Sequence, residues 1–282
     1  MVLESRDGAQ MTAKPGDIVD FEGGSRGFVL WSRPPLYFLQ ALAGSGDITP
    51  GSTVMLREQQ AEKEQSEGAE GDEGEEGSKA SRPTLTISDG ALKLGRAVDF
   101  LDTPLDGAAP LEAEAATADG ARGVPVFNEQ PDVAAIQTIG RGLSTGVTAV
   151  DALTPMGFGQ SMLVAGPDTP TNTNLAVDAV HGQISSGVKC VYACLRGQDQ
   201  GEAVRSELAS RGALDHSVVL SAGDENPSSA TQLATAAAAI ATAESFRDQG
   251  QDALVVLDDI SGLADFWDLT TRTLLDTYGE DR

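Results

Sequence analysis

Residues 161–187 read SMLVAGPDTPTNTNLAVDAVHGQISSG, and this stretch decides the fold. The apolar run 161–166 has the length of a short buried strand, a loop punctuated by Pro167 and Pro170 follows it, and the text from 171 reads as a helix ending at Gly187. Strand, loop and helix in that order form one arm of a parallel α/β sheet, and the alternation continues downstream. VKCVYACL (188–195) predicts a second strand, QGEAVRSELASRG (200–212) a helix with Gly212 just past its end, and SVVLSAG (217–223) a third strand. PSSATQLATAAAAIATAESFRDQG (227–250) predicts a long Ala-rich helix, DALVVLDD (252–259) a fourth strand, and GLADFWDLTTRTLLDTY (262–278) a last helix. A parallel sheet binds its ligands beyond the carboxyl ends of its strands. The loops after Ala165, Leu195, Leu220 and Asp258 are therefore the ones that can carry chemistry.

Upstream the rhythm is different. Up to about residue 57, short β-rich runs alternate with Gly-containing turns: GDIVDFEG, RGFVLWS, LYFLQALAG and STVMLRE. Such spacing predicts a small β-barrel or sheet. Residues 58–80 interrupt it with nine Asp/Glu, two Lys and no Val, Ile, Leu, Met or aromatic residue. That segment cannot bury enough apolar surface to offset its ordering entropy, so it reads as a disordered acidic insert in a loop of the β domain. β character returns in PTLTISDG and LKLGRAVDFLDTPLDG. The expected organisation is a β-barrel domain over 1–107, a connecting segment over 108–137 rich in Ala, Pro and Gly, and an α/β core over 138–282.

With 43 Asp/Glu against 19 Lys/Arg the formal net charge is -24, and only five of the basic residues are Lys. No basic block can track a phosphate backbone, which argues against nucleic acid as a partner, and no apolar run is long enough to insert into a membrane. Residues outside the insert still carry -17, which adaptation to salt or crowding explains more readily than a basic partner does. Cys190 and Cys194 flank Tyr192 with a period of two, which puts all three on one strand face. Buried, inert thiols are the default reading there. His181 and His216 lie in unrelated contexts, so neither a metal cluster nor a Ser-His-Asp arrangement can be assembled. The start, MVLESRDGAQ, has neither transit-peptide nor signal-peptide character.

The loop after the first predicted strand reads Gly166-Pro167-Asp168-Thr169-Pro170-Thr171-Asn172-Thr173. A phosphate-binding loop, G-x-x-x-x-G-K-[ST], uses its second Gly to let backbone N–H groups close on phosphates, its Lys to neutralise them and its hydroxyl to hold Mg²⁺. Gly166 and Thr173 keep their places, whereas Thr171 stands at the second Gly and Asn172 at the Lys. The two prolines also remove amide donors. At the end of the fourth strand Asp258 is where such proteins keep a carboxylate that helps hold Mg²⁺, while Asp259 and Ser261 read as caps of the following helix.

Residues 145–160, TGVTAVDALTPMGFGQ, resemble the TGIKAVDxLVPIGRGQ block that precedes the phosphate loop in the α subunit of F-type ATP synthases. Thr145, Gly146, Ala149, Val150, Asp151, Leu153, Pro155, Gly157, Gly159 and Gln160 stand in register, and Gly166 and Thr173 follow in place. LGRAVDFLDTPLDG (94–107) is similar to the LGRVVDxxGxxxDG turn that closes the family's β-barrel, Arg196-Gly197-Gln198 to its GQ loop, and 257–261 to its YDDLS strand end. The resemblance implies a small N-terminal β-barrel followed by a RecA-like α/β core of the P-loop NTPase fold, incomplete at the C-terminus. The family's catalytic β subunit has Glu at the position of Gln198, where it polarises the attacking water, and an amide cannot act as that base. The resemblance is therefore to α rather than β, with no catalytic residue expected.

The chain departs from the family at Thr148, Phe158, Ser161 and Asn172, each standing where the pattern has a basic residue. Their joint loss implies a degenerate phosphate loop. The resemblance implies a non-catalytic α-like subunit or assembly component of an F-type ATP synthase, with β-like subunits as partners and weak or absent binding of Mg-ATP or Mg-ADP. Gly166, Thr171, Asn172, Thr173 and Gln198 are the expected nucleotide-facing positions, and Thr173 and Asp258 the metal-facing pair. The family chain runs on for about as long again, so this one reads as an N-terminal fragment or as a short paralogue whose open sheet a partner covers. The location implied is peripheral to an energy-transducing membrane. Alternatives are a divergent nucleotide-hydrolysing ATPase, which needs a replacement for the lysine and a catalytic carboxylate, and a free-standing regulatory protein that binds basic segments through the acidic insert.

Overall fold

The computed structural model describes residues 2–4, 13–42 apart from 23 and 35, 53–56, 83–111, 123–128, 131–132, 134, 136, 138–167 and 169–278. The acidic insert 58–80 and much of the 108–137 connector lie outside the described residues. The chain folds as two compact units, Met1–Leu85 and Thr86–Arg282.

In the first unit, β1 (Val2–Glu4), β2 (Ile18–Phe21), β3 (Arg26–Arg33), β4 (Leu36–Ala41) and β5 (Val54–Leu56) form an antiparallel sheet in the order β1-β4-β3-β2-β5. Period-two patterning works as expected in β2: Val19 and Phe21 are buried with Val29, Tyr37 and Leu39, while Ile18 and Asp20 are half-buried. A register shift between Val29 and Trp31 irregularises β3, and beyond it the Trp31 ring meets Phe38 edge-on at 5.5 Å. All four predicted strands are present, and the sheet fits the expected barrel.

The second unit begins with β6 (Thr86–Ile87), a 3-10 turn over Gly90–Lys93 and β7 (Ala97–Val98). Next come β8 (Val124–Pro125), antiparallel to β6, then β9 (Gly142–Leu143), α1 (Thr148–Leu153) and β10 (Met156–Gly157), with β9 and β10 antiparallel to each other. The predicted α/β alternation follows as α2 (Thr169–Gly182), β11 (Lys189–Cys194), α3 (Gln198–Ser210), β12 (Ser217–Ser221), α4 (Ser229–Asp248), β13 (Ala253–Asp258) and α5 (Ser261–Tyr278). β11 and β12 are almost wholly buried, as continuous apolar strands of a parallel sheet should be. α4 starts at a Ser228 cap that accepts the Thr231 N–H at 3.1 Å. Its Ala-rich text lets it lie close against β11, β13 and α5, with alanines buried on several faces.

Two elements depart from the sequence reading. The parallel sheet has the order β13-β11-β12-β7, so Ala97–Val98 joins the core sheet beside Val219 and Leu220, and the boundary between compact units falls after Leu85 rather than at 107. A two-residue strand among turns carries no local signal of which sheet edge it will meet. The second departure is 161–166, expected as a buried strand. Ser161–Ala165 has no assigned strand and is exposed, with Leu163 at 73% of its accessible surface. β13 therefore pairs with β11 on one side only and is half-buried along its length despite its apolar text. Apolar character favours burial, but it cannot supply the edge a strand must pair with.

Candidate nucleotide site

The most specific block of the sequence, 145–160, turns out to be scaffolding. Asp151 Oδ1 accepts the Thr145 N–H at 2.8 Å and the Thr145 hydroxyl at 2.7 Å, and Oδ2 accepts the Ser144 hydroxyl at 2.8 Å and the Gly146 N–H at 3.1 Å. Four donors on one carboxylate, led by the Thr145 N–H, hold its pKa down to about 2. Gly146 has φ +78°, and a Cβ on Gly182 at the end of α2 would fall inside van der Waals contact with the Thr145 carbonyl. The turn thus docks against the end of α2. Gln160 Oε1 accepts the Gly157 N–H at 2.8 Å, which closes the second turn of the block. Phe158, where the family pattern has a basic residue, lies under the Arg141 guanidinium at 4.0 Å, and Arg141 in turn reaches Asp252 at 2.6 Å.

The 94–107 turn is equally structural. Arg96 Nε donates to Asp106 Oδ2 at 2.6 Å and Nη2 to Oδ1 at 3.2 Å, and this fork holds the Asp106 carboxyl down to about 2. Asp102, at the Gly position of the family turn, adopts φ +65° and forms an ion pair with the fully buried Lys93 at 2.5 Å. Lys93 also approaches the Thr242 hydroxyl at 3.4 Å, and burial lowers its pKa against the pull of Asp102.

At the carboxyl end of the sheet the two central strands bring the candidate residues together. Cys194, the last residue of β11, is level with Asp258, the last of β13. Asp258 Oδ2 accepts the Thr173 hydroxyl at 2.8 Å and the Tyr192 hydroxyl at 2.9 Å. Arg196 Nη2 stands 3.8 Å from Asp258 Oδ1 and 3.5 Å from Thr173 Oγ1. Asp258 is largely buried, whereas 42% of the Arg196 side chain is exposed. Tyr192 lies between the two thiols on one buried face, as its period predicts, and burial followed by the Asp258 charge raises its pKa steeply. Burial pushes Cys190 up to about 12 and raises Cys194 as well, so both thiols are inert.

Thr171, Asn172 and Thr173 lie in the opening turn of α2. The Asn172 side chain folds back onto the loop, donating from Nδ2 to the Gly166 carbonyl at 3.3 Å. A Cβ on Gly166 would sit 2.9 Å from Asn172 Oδ1, so the glycine is what admits this contact. Asp168 lies outside the described residues. Gln198 is exposed as the first residue of α3, its N–H donating to the Asp224 carbonyl at 3.1 Å; its side chain makes no hydrogen bond to Thr173 or Asp258. Gly197 before it has φ +117°, and a side chain there would strike the Asp224 and Glu225 backbone. Asp259 Oδ1 accepts the Ser261 N–H at 2.7 Å, the capping role the sequence suggested.

Arg196 is the residue that sequence reasoning passed over. It stands immediately before Gly197-Gln198 in one of the four loops at the sheet's functional end, and a basic side chain there was the available signal. Its position also bears on magnesium. Asp258 is the one carboxylate of the cluster, Oδ2 already takes two hydroxyl donors, and Oδ1 faces a guanidinium. Among the described residues no group of three or more His, Cys, Asp or Glu could hold a metal. Thr173 and Asp258 keep the hydroxyl and the carboxylate that a P-loop site turns towards Mg²⁺; here they bond each other, and the Arg196 guanidinium stands at the carboxylate's other oxygen. A recess of about 290 Å³ lined by Thr154, Pro155, Met156, Gln160, Ser161 and Met162 shares no residue with this cluster.

The parallel sheet, the helix α2 that opens within residues 166–173 and the Thr173–Asp258 pair define a nucleotide-binding core of the P-loop class. Residues 146–267 match the family model described as ATP synthase alpha/beta family, nucleotide-binding domain. Within that class the chain is similar to ATP synthase α subunits. It is 37% identical over 179 residues to ATP synthase subunit alpha 1 of Methylococcus capsulatus, covering 63% of this chain and 33% of the relative. It is 31% identical over 248 residues to ATP synthase subunit alpha 2 of Hahella chejuensis, covering 87% of this chain and 42% of the relative. With ATP synthase subunit alpha 1 of Dinoroseobacter shibae it shares 38% identity over 180 residues, 63% of this chain and 33% of the relative. The chain thus spans less than half the length of these curated relatives.

Proposed function

We propose that the chain acts as a non-catalytic, α-like component of an F-type ATP synthase, structural beside catalytic β-like subunits and binding nucleotide weakly at most. The observation that carries this reading is Asn172, which stands at the lysine position and turns its amide onto the loop's own Gly166 carbonyl. Gly166, Thr171, Asn172, Thr173 and Gln198 are then remnants of a nucleotide site, and Thr173 and Asp258 remnants of a metal-facing pair. Gln198 offers an amide where hydrolysis requires a base. Mg-ATP and Mg-ADP are accordingly weak ligands. The half-buried edge of β13 and the exposed Met162, Leu163 and Val164 suit a surface that a neighbouring subunit covers. No helix among the described residues is long and apolar enough to cross a membrane, which suits a subunit peripheral to an energy-transducing membrane. Affinity purification of the tagged chain from its native cells is the test. Recovery with β-like subunits, and no Mg-ATP hydrolysis by the isolated chain, is expected. Hydrolysis by the isolated chain would overturn the reading.

A further inference from the structure

We propose that Arg196 is the cation of this site, serving in place of both the loop lysine and the divalent ion, so that the chain binds polyphosphate groups without Mg²⁺. The inference rests on reading the Thr173–Asp258 cluster as the chain's nucleotide site, and it names the form of ligand that site takes. A polyphosphate needs positive charge beside the hydroxyl that opens the loop helix, and Asn172 supplies none. Arg196 supplies it: its Nη2 lies 3.5 Å from the Thr173 hydroxyl, while the same nitrogen is 3.8 Å from Asp258 Oδ1, too far for a tight ion pair. The guanidinium is held close to the carboxylate but not consumed by it, and 42% of the side chain stays open to solvent.

Neighbouring groups aim it. The Arg196 N–H donates to Gln200 Oε1 at 3.0 Å, which fixes the backbone at the strand end, and Gln200 Nε2 is left buried with no partner. Asp258 is anchored from its other oxygen by Thr173 and Tyr192, so it cannot swing out to embrace the arginine. A guanidinium also matches phosphate geometry through a bidentate fork, which an ammonium does not. A magnesium ion entering between Thr173 and Asp258 would bring a second positive charge close to that guanidinium, and the two would repel. Magnesium in solution would also neutralise the ligand's charge and weaken its attraction to Arg196.

The test is calorimetric titration of the full chain with inorganic tripolyphosphate and with ATP, each in excess EDTA and in excess Mg²⁺. Binding in EDTA at least as tight as in Mg²⁺ is expected, with Arg196→Gln weakening it by about tenfold to a hundredfold and Arg196→Lys by less. Thermal unfolding of Arg196→Lys should match the parent, because it keeps a positive charge beside the largely buried Asp258 carboxylate. Binding that requires Mg²⁺, an undiminished Arg196→Gln variant, or no polyphosphate binding in EDTA would each overturn the proposal. None of these outcomes touches assembly with β-like subunits, whose failure is read separately by co-purification.

Discussion

Replacing Asn172 by lysine should restore measurable Mg-ATP affinity, and the structure sets the size of the gain. The substitution removes the Nδ2 bond to the Gly166 carbonyl, which at 3.3 Å is worth roughly 0.5–1 kcal/mol and is a cost to folding stability, not to affinity. A lysine ammonium on the ligand's phosphates contributes about 1.5–3 kcal/mol as a charge-assisted bond. The expected gain is therefore about 1.5–3 kcal/mol, or roughly tenfold to a hundredfold in affinity. Titration with a fluorescent ATP analogue in Mg²⁺ reads this directly. Asn172→Gln is the control: it lengthens the side chain without adding charge and should gain nothing. If Asn172→Lys folds like the parent and binds no more tightly, the missing lysine is not what limits this site. Micromolar Mg-ATP binding by the unaltered chain would equally contradict the reasoning.

Three further outcomes follow from the packing. Asp102→Asn should cost about 3–5 kcal/mol in denaturant unfolding, because it strands the fully buried Lys93, whereas Lys93→Met with Asp102→Gly should recover most of the loss and also relieve the φ +65° backbone. Asp106 and Asp151 both have folded pKa values of about 2, below the ordinary 3.8, so their stabilisation is complete above 3.8 and is lost as pH falls from there towards 2. Urea midpoints followed across that window should drop less steeply in Asp106→Asn than in the parent. Gly182→Ala should destabilise by about 2 kcal/mol or more, since its Cβ would meet the Thr145 carbonyl, and an unchanged melting temperature would contradict the close docking of that turn on α2.

The α/β core was legible because its signals are local. Strands and helices from 188 onward follow apolar runs and the glycines after α3 and α4, Gly212 and Gly250, all written in neighbouring residues. Thr145, Gly146, Asp151 and Gln160 were legible as a motif for the same reason: Asp151 binds Thr145 and Gly146, and Gln160 binds Gly157, each within a few positions. What escaped depended on distant partners. The 161–166 run is apolar enough for a strand yet stays outside the sheet, and Ala97–Val98 crosses into it, because strand pairing is decided by which edges are available. Arg196 was read as part of a turn next to Gln198, since only the fold brings it to within 4 Å of Asp258, 62 residues further along the chain. The Lys93–Asp102 pair and its approach to Thr242 were invisible for the same reason.

The central claim is that this chain takes an α position beside β-like subunits without contributing catalysis. Co-expressing it with the β-like subunit of the same cell and weighing the product by native mass spectrometry tests that directly. The account predicts a heteromeric complex containing both chains, whose ATP hydrolysis is abolished by replacing the β-like subunit's catalytic carboxylate and unchanged by Gln198→Ala in this chain. Recovery of the two chains as separate species, each folded, would contradict it.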